Sequence, residues 1–214
     1  MLRAILIPIV LTALLFLLFV LFIFNAIAIS FTKLGLSPPQ TFLIFLAIIV
    51  GGFINIPVSQ RKVVVEERRL PFPFFYYPPK MANQVIFVNV GGAVIPTLLS
   101  FYFLLLPMTP LGPTVLATLV IIAVSKLLAR VVPGVGIAMP AFIPPVISAI
   151  LAFLLAPKDP APVAYISGVL GTLIGADLLN LRRIRELGSL AVSIGGAGVF
   201  DGIFLVGIIA ALLA

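Results

Sequence analysis

Long apolar runs alternate with short polar or proline-containing connections over most of the chain. A helix needs about 20 apolar residues to cross roughly 30 Å of hydrocarbon. Seven stretches are candidates by that measure: 4–24, 41–58, 85–107, 114–129, 135–156, 162–181 and 187–214. The first is unbroken, with Thr12 as its only polar member, whereas the fourth is short and flanked by Pro110, Pro113 and Pro133. The residue-by-residue alternation of outer-membrane strands is missing, which argues against a β-barrel. The pattern predicts an all-α integral membrane protein, one polytopic transmembrane domain over 1–214 with seven transmembrane helices. The first run also has the look of a signal peptide, with Arg3 ahead of it and Ala26-Ile27-Ala28 behind it. Its 21 apolar residues exceed the length of such a core, so a retained helix is expected.

Charge orients the spans. With the N-terminus inside, the inner loops hold eleven cations: Arg3, Arg61, Lys62, Arg68, Arg69, Lys80, Lys126, Arg130, Arg182, Arg183 and Arg185. The outer side holds two, Lys33 and Lys158. Positive charge gathers on the cytoplasmic side of membrane proteins, so the N-terminus is expected inside and the C-terminus outside, in a prokaryotic plasma membrane. The net charge of +7 is then mostly an insertion signal. The bilayer is the expected partner; nucleic acid is not, because the basic residues are divided among separate loops.

Only the inner connection 59–84 is long enough for structure of its own. Its 61–67 portion, Arg-Lys-Val-Val-Val-Glu-Glu, is β-prone, and a short β-hairpin is one expectation for the 59–84 connection. Residues 71–79 carry four prolines and five aromatics, which forbid a regular helix and fit the headgroup layer. A strand edge or a lid near a site is the alternative. Glycines and prolines also interrupt the later spans. Gly51-Gly52 is echoed by Gly91-Gly92 and by Gly195-Gly196-Ala197-Gly198, and Pro140, Pro144 and Pro145 crowd the start of the fifth span. Small residues of this kind permit close helix packing. Alternatively they mark broken helices, tolerated at membrane depth only where protein or a wet cavity surrounds the backbone.

Composition narrows the chemistry. Hydrophobic residues make up 63% of the chain and charged ones 9%, against about 25% charged in soluble domains. There is no Cys, His or Trp, and there are only six acids. Disulfides, thiol nucleophiles, Ser-His-Asp triads and His- or Cys-held metals are therefore excluded, and no metal or cofactor is expected. Glu66, Glu67, Asp159 and Glu186 fall in predicted loops, but Asp177 and Asp201 fall in predicted spans. An ionised carboxylate in hydrocarbon is costly and usually pairs or lines a pathway.

Asp177 lies five residues before Arg182, roughly 7 Å into the core if Arg182 marks the interface. Lys126 lies at a similar depth, four residues before Arg130, so a structural Lys126–Asp177 ion pair is one expectation. Asn180 is a second possible partner for Asp177, three residues away on the same helix face. Asp201 reaches the same level only if the crossing helix begins near Ala197, after the glycines. Two carboxylates a few ångströms apart cannot both ionise readily, so the pair keeps one proton. One then activates water while the other polarises a carbonyl, which is peptide hydrolysis without Cys, His or metal.

An aspartate on an inward-running span, followed by a glycine-rich aspartate on an outward-running one, resembles the GxGD intramembrane aspartyl proteases, the presenilin and signal-peptide-peptidase group. The resemblance implies Asp177 and Asp201 as the catalytic pair. It also implies substrate contacts from Gly195, Gly196 and Gly198 and from Pro140-Ala141-Phe142, which looks like that family's Pro-Ala-Leu element. The order differs, since Pro140-Ala141-Phe142 precedes both aspartates. The spacing differs as well: Val199 and Phe200 separate Gly198 from Asp201. The C-terminal Gly-Gly-Ala-Gly-Val-Phe-Asp-Gly-Ile-Phe-Leu resembles a prokaryotic polytopic membrane-protein family with no assigned function.

Three functions are therefore expected to compete. The first is a diaspartyl peptidase acting on transmembrane peptides. The second is a proton- or cation-coupled transporter or channel using the acids, Lys126, Asn55 and Asn89. The third is a non-catalytic scaffold or partner-binding subunit, with an oligomer allowed in each case.

Overall fold

The computed structural model describes residues 2–65, 80–132, 136–186, 191–196 and 202–214. Three helices among them are long and apolar enough to cross a bilayer, over Val10–Lys33, Leu111–Leu128 and Pro160–Arg183. They fall on the first, fourth and sixth predicted spans, and they make the chain a membrane protein. The first belongs to α1 (Leu2–Lys33), which among its described side chains is buried in its C-terminal third, through Ile27, Ser30 and Phe31, with Leu34 just beyond it. Its residues from Val10 to Phe22 are exposed and, apart from Thr12 whose hydroxyl donates to the Pro8 carbonyl, apolar, as lipid contact requires.

The other four predicted spans are not continuous helices, and the all-α expectation is corrected here. The second is α2 (Pro38–Gly52), followed after two residues by strand β1 (Asn55–Val65). The third begins as strand β2 (Lys80–Asn89), passes through a π-helical turn at Val90–Val94 and continues as α3 (Ile95–Leu104). After α4 (Leu111–Leu128) come two short paired strands, β3 (Arg130–Val132) and β4 (Gly136–Ala138), and then α5 (Ile143–Leu155). The last contains strand β5 (Ala191–Ile194) and α8 (Gly202–Leu213). Between α5 and β5 lie α6 (Pro160–Thr172), a π turn at Leu173–Asp177, a 3-10 turn at Leu178–Asn180 and α7 (Leu181–Glu186). A short apolar run suits a buried strand as well as a helix, and Gly or Pro marks each change.

β1, β2 and β5 form one sheet in that order, with β1 antiparallel and β5 parallel to β2. Asn55 pairs with Asn89, and a bulge interrupts the register between Pro57 and Ser59. The sheet therefore occupies much of the connection expected to be an interfacial loop. Its segment 66–79 lies outside the described residues.

The centre of the bundle is α6. Every residue from Ala161 to Val169 is buried, and Gly168, Gly171 and Gly175 set how closely its neighbours approach. A β-carbon on Gly171 would strike the Ile121 side chain of α4, and one on Gly175 would strike the Ile122 carbonyl. On another side, Gly168 faces Val206 and Ala210 of α8, while Gly207 of α8 faces Tyr165 and Val169. Ala214, just past the C-terminal end of α8, lies with Pro160, Ala161 and Pro162 at the start of α6, so α8 runs antiparallel to α6. Tyr165 packs edge-on against Phe103 of α3 at 5.2 Å between ring centroids.

At the sheet, the three glycine pairs meet. A β-carbon on Gly51 would lie 2.9 Å from the Gly91 nitrogen. One on Gly91 would strike the Ile48 carbonyl and the Gly52 nitrogen. One on Gly195 would lie 2.5 Å from the β-carbon of Ala93 and 2.9 Å from the Gly92 carbonyl carbon. Close packing and interrupted helices, two separate expectations for these glycines, are thus one arrangement.

Gly91→Ala is expected to destabilise the protein by about 1–3 kcal/mol or more, because backbone rather than a movable side chain blocks the added methyl. Gly112→Ala, in the first turn of α4 with nothing within 4 Å, is expected to be neutral or slightly stabilising. Thermal unfolding of both variants in detergent checks the contrast.

Candidate functional site

The polar groups gather where α6 ends and the sheet begins. The π turn at Leu173–Asp177 loosens the helix just before Asp177, and one 3-10 turn follows. Such irregular turns inside helices often accompany functional positions. Asp177 is half-buried, and its Oδ2 accepts a hydrogen bond from the Gly195 N–H at 2.9 Å.

Gly195 follows β5, and both it and Gly196 have φ of +78°, a conformation that glycine adopts without strain. The positive φ turns the chain out of the sheet at the point where Gly195 lies against Gly92 and Ala93. Sheet pairing positions the turn: Ile194 is opposite Val88, one residue before Asn89. Asn89 is buried and ties the neighbouring elements together. Its Nδ2 donates to the Gly52 carbonyl at 2.8 Å and to Asn55 Oδ1 at 3.1 Å. Its Oδ1 accepts from the Gly92 N–H at 2.7 Å and so caps the π turn that leads into α3. Ser193 Oγ donates to the same Asn55 Oδ1 at 2.9 Å, so all three strands share one hydrogen-bond network.

Lys126 does not join Asp177. Its ammonium donates to Asn180 Oδ1 at 2.6 Å and to the Leu179 carbonyl at 2.7 Å. Asn180, fully buried, in turn donates to the Ala176 carbonyl at 2.8 Å and more weakly to that of Gly175. Both expected partners of Asp177 are therefore occupied with each other and with backbone. The physical reason is the helix irregularity, which frees carbonyls at Gly175, Ala176 and Leu179, and these need donors at membrane depth. The pair forms a clamp across the α4–α6 contact, next to Asp177 in sequence.

Pro140, Ala141 and Phe142 form an exposed turn at the start of α5, with Phe142 69% exposed. Gly198 and Asp201 lie outside the described residues, whereas α8 starts at Gly202, the next residue after Asp201. The sequence reasoning missed β5 and Ser193. The β-branched Val192 and Ile194 were the available signal, but a four-residue strand is too short to separate from a helix turn.

Comparison with known families identifies this arrangement at the family level. The family described as "Protein of unknown function (DUF1614)" matches residues 49–213, and the chain belongs to it. The matched region begins inside α2, so it takes in all three glycine pairs and both aspartates but leaves out α1. No curated protein and no solved structure matches the chain.

The clamp can be tested directly. Asn180→Leu leaves the Lys126 ammonium one acceptor fewer and frees the Ala176 carbonyl, for an expected cost of about 1–3 kcal/mol. Lys126→Met should cost a similar amount. The double variant should cost less than the sum of the two, with a coupling of about 0.5–3 kcal/mol. Unfolding midpoints of the four proteins in detergent check this, and strict additivity contradicts the clamp.

Proposed function

We propose that this chain is an intramembrane aspartyl peptidase in which Asp177 and Asp201 hydrolyse peptide bonds of membrane-embedded substrates. One observation carries the reading: the hydrogen bond from the Gly195 N–H to Asp177 at 2.9 Å. It fastens the segment leading into Asp201 to the side chain of Asp177. The antiparallel packing of α8 along α6, through Gly168 and Gly207, supports the same juxtaposition. The resemblance to the GxGD proteases in the order of the two aspartates is further support.

The chemistry follows from two carboxyl groups sharing one proton. The ionised carboxylate takes a proton from water as the water oxygen bonds to the scissile carbonyl carbon. The protonated carboxyl donates its proton to the carbonyl oxygen, giving a neutral gem-diol. Collapse returns one proton to a carboxylate and delivers the other to the departing nitrogen, so the C–N bond breaks and the shared proton is restored. Gly195, its open face filled by Gly92 and Ala93, holds the turn beside the substrate. Gly196 and Gly198 have no side chains to obstruct a substrate backbone, and Pro140, Ala141 and Phe142 are the further substrate contacts of this reading.

The membrane arrangement belongs to the same proposal. α4 runs parallel to α6 and α1 parallel to α8, which supports an arrangement of seven crossings. The sheet and Asp177 face the inside, and the C-terminus lies outside in a prokaryotic plasma membrane. The apolar helices that are shorter than a full crossing are continued by strands or turns.

A second reading, a proton- or cation-coupled transporter, draws on a different observation. The hydroxyls of Ser125, Tyr165 and Thr172, on or against α6, are buried and have no hydrogen-bond partner among the described residues. Polar groups of this kind within a bundle are common in conduction paths.

The test uses purified wild type, Asp177→Ala and Asp201→Ala in detergent with transmembrane peptides. Wild type should cleave, and each substitution should reduce cleavage to background. Cleavage retained by Asp201→Ala, or none by wild type, contradicts the peptidase reading. Liposome flux lost in Asp177→Asn, without proteolysis by any variant, moves the assignment to the transporter.

A further inference from the structure

The end of the bundle remote from Asp177 holds a feature independent of the peptidase reading. The connections there are short, and the ends of α1 and α8, the α5–α6 connection and Met108 meet the start of α6 around a cavity of about 210 Å³. Its lining includes Lys33, Met108, Lys158, Asp159, Pro160 and Pro162. Of the thirteen cations in the chain, Lys33 and Lys158 are the two predicted for this side of the membrane. They lie 125 positions apart in sequence, yet the fold brings both to one cavity.

Like charges repel, so the two scarce cations of one face are favoured together by anionic groups near both, and Asp159 supplies only one such charge. Lys33 uses one of its three donors on the Leu212 carbonyl at 2.8 Å, which fixes its ammonium and leaves donors over. Lys158 is exposed and Asp159 is half-buried. The cavity therefore presents two cations and one carboxylate. Leu105, three residues before the lining Met108, and Leu213, the residue before the lining Ala214, are exposed apolar side chains.

We propose that this cavity binds a phospholipid headgroup of the phosphoethanolamine type. The phosphodiester lies between the Lys33 and Lys158 ammoniums, the headgroup ammonium pairs with Asp159, and the acyl chains run down the apolar surface past Leu105 and Leu213. A single anion would meet two cations but would be repelled by Asp159, whereas a zwitterion satisfies all three charges. Lipid is the source because the cavity opens at the end of membrane-crossing helices, at headgroup level.

The experiment titrates the purified full chain in detergent with short-chain phosphatidylethanolamine, followed by native mass spectrometry. Parallel titrations use phosphatidylglycerol, diacylglycerol and inorganic phosphate. Because Lys33 also ties α1 to α8, Lys158→Met is the primary variant, with Asp159→Asn as the second. Lys158→Met should weaken phosphatidylethanolamine binding at least about tenfold, the loss of one charge-assisted contact. Asp159→Asn should remove the preference for phosphatidylethanolamine over phosphatidylglycerol. The proposal is overturned by equal affinity of wild type and Lys158→Met, or by diacylglycerol binding as tightly as the phospholipid. It is equally overturned by inorganic phosphate binding as tightly as lipid, or by a headgroup preference unchanged in Asp159→Asn.

Discussion

Three backbones approach one another near Gly91 more closely than any side chain permits, and the rest of the sheet end follows from that contact. Gly91 fits against the last turn of α2 only because it has no β-carbon. Gly195 fits against Gly92 and Ala93 for the same reason, and its positive φ turns the chain out of β5. Once those backbones touch, β1, β2 and β5 leave the helices side by side, and their order is settled. The Gly195 N–H then faces Asp177, at the end of the central helix α6.

Strands within a membrane protein need every backbone group satisfied, which restricts where they can lie. Here the network of Asn89, Asn55 and Ser193 closes the gap between helix and sheet hydrogen bonding. At the end of α6 the same requirement is met by Lys126 and Asn180, whose donors go to carbonyls released by the irregular turns. Both solutions spend polar side chains on backbone. Asp177 meanwhile accepts the Gly195 backbone amide.

The sequence showed some of this plainly and hid the rest for physical reasons. The long apolar helices containing residues 4–24, 114–129 and 162–181 were readable because an apolar run of that length fits little except a membrane crossing. The prolines near the fourth span looked like a weakness. They are not: Pro110 caps α4 and Pro113 lies in its first turn, where no intrahelical N–H bond is lost. The four helix-and-strand composites were not readable, since Val, Ile and Phe suit a buried strand and a membrane helix alike. The repeated glycine pairs drew notice, but their meeting is a long-range property that no local pattern encodes. Likewise Lys126 and Asp177 matched in depth, yet depth says nothing about direction around the helix. Asn180 took the lysine.

We propose that the glycine junction brings Asp201 to Asp177, and the absence of native cysteine allows a clean test. In an Asp177→Cys, Asp201→Cys protein, the only two thiols replace the two carboxyls. Treatment with a short bis-thiol reagent in native membranes, followed by peptide mass spectrometry, reads their separation. The account predicts rapid intramolecular linkage, lost when Gly195→Val disrupts the junction. Two freely modified but unlinked thiols, in a protein whose unfolding midpoint matches wild type, would contradict it.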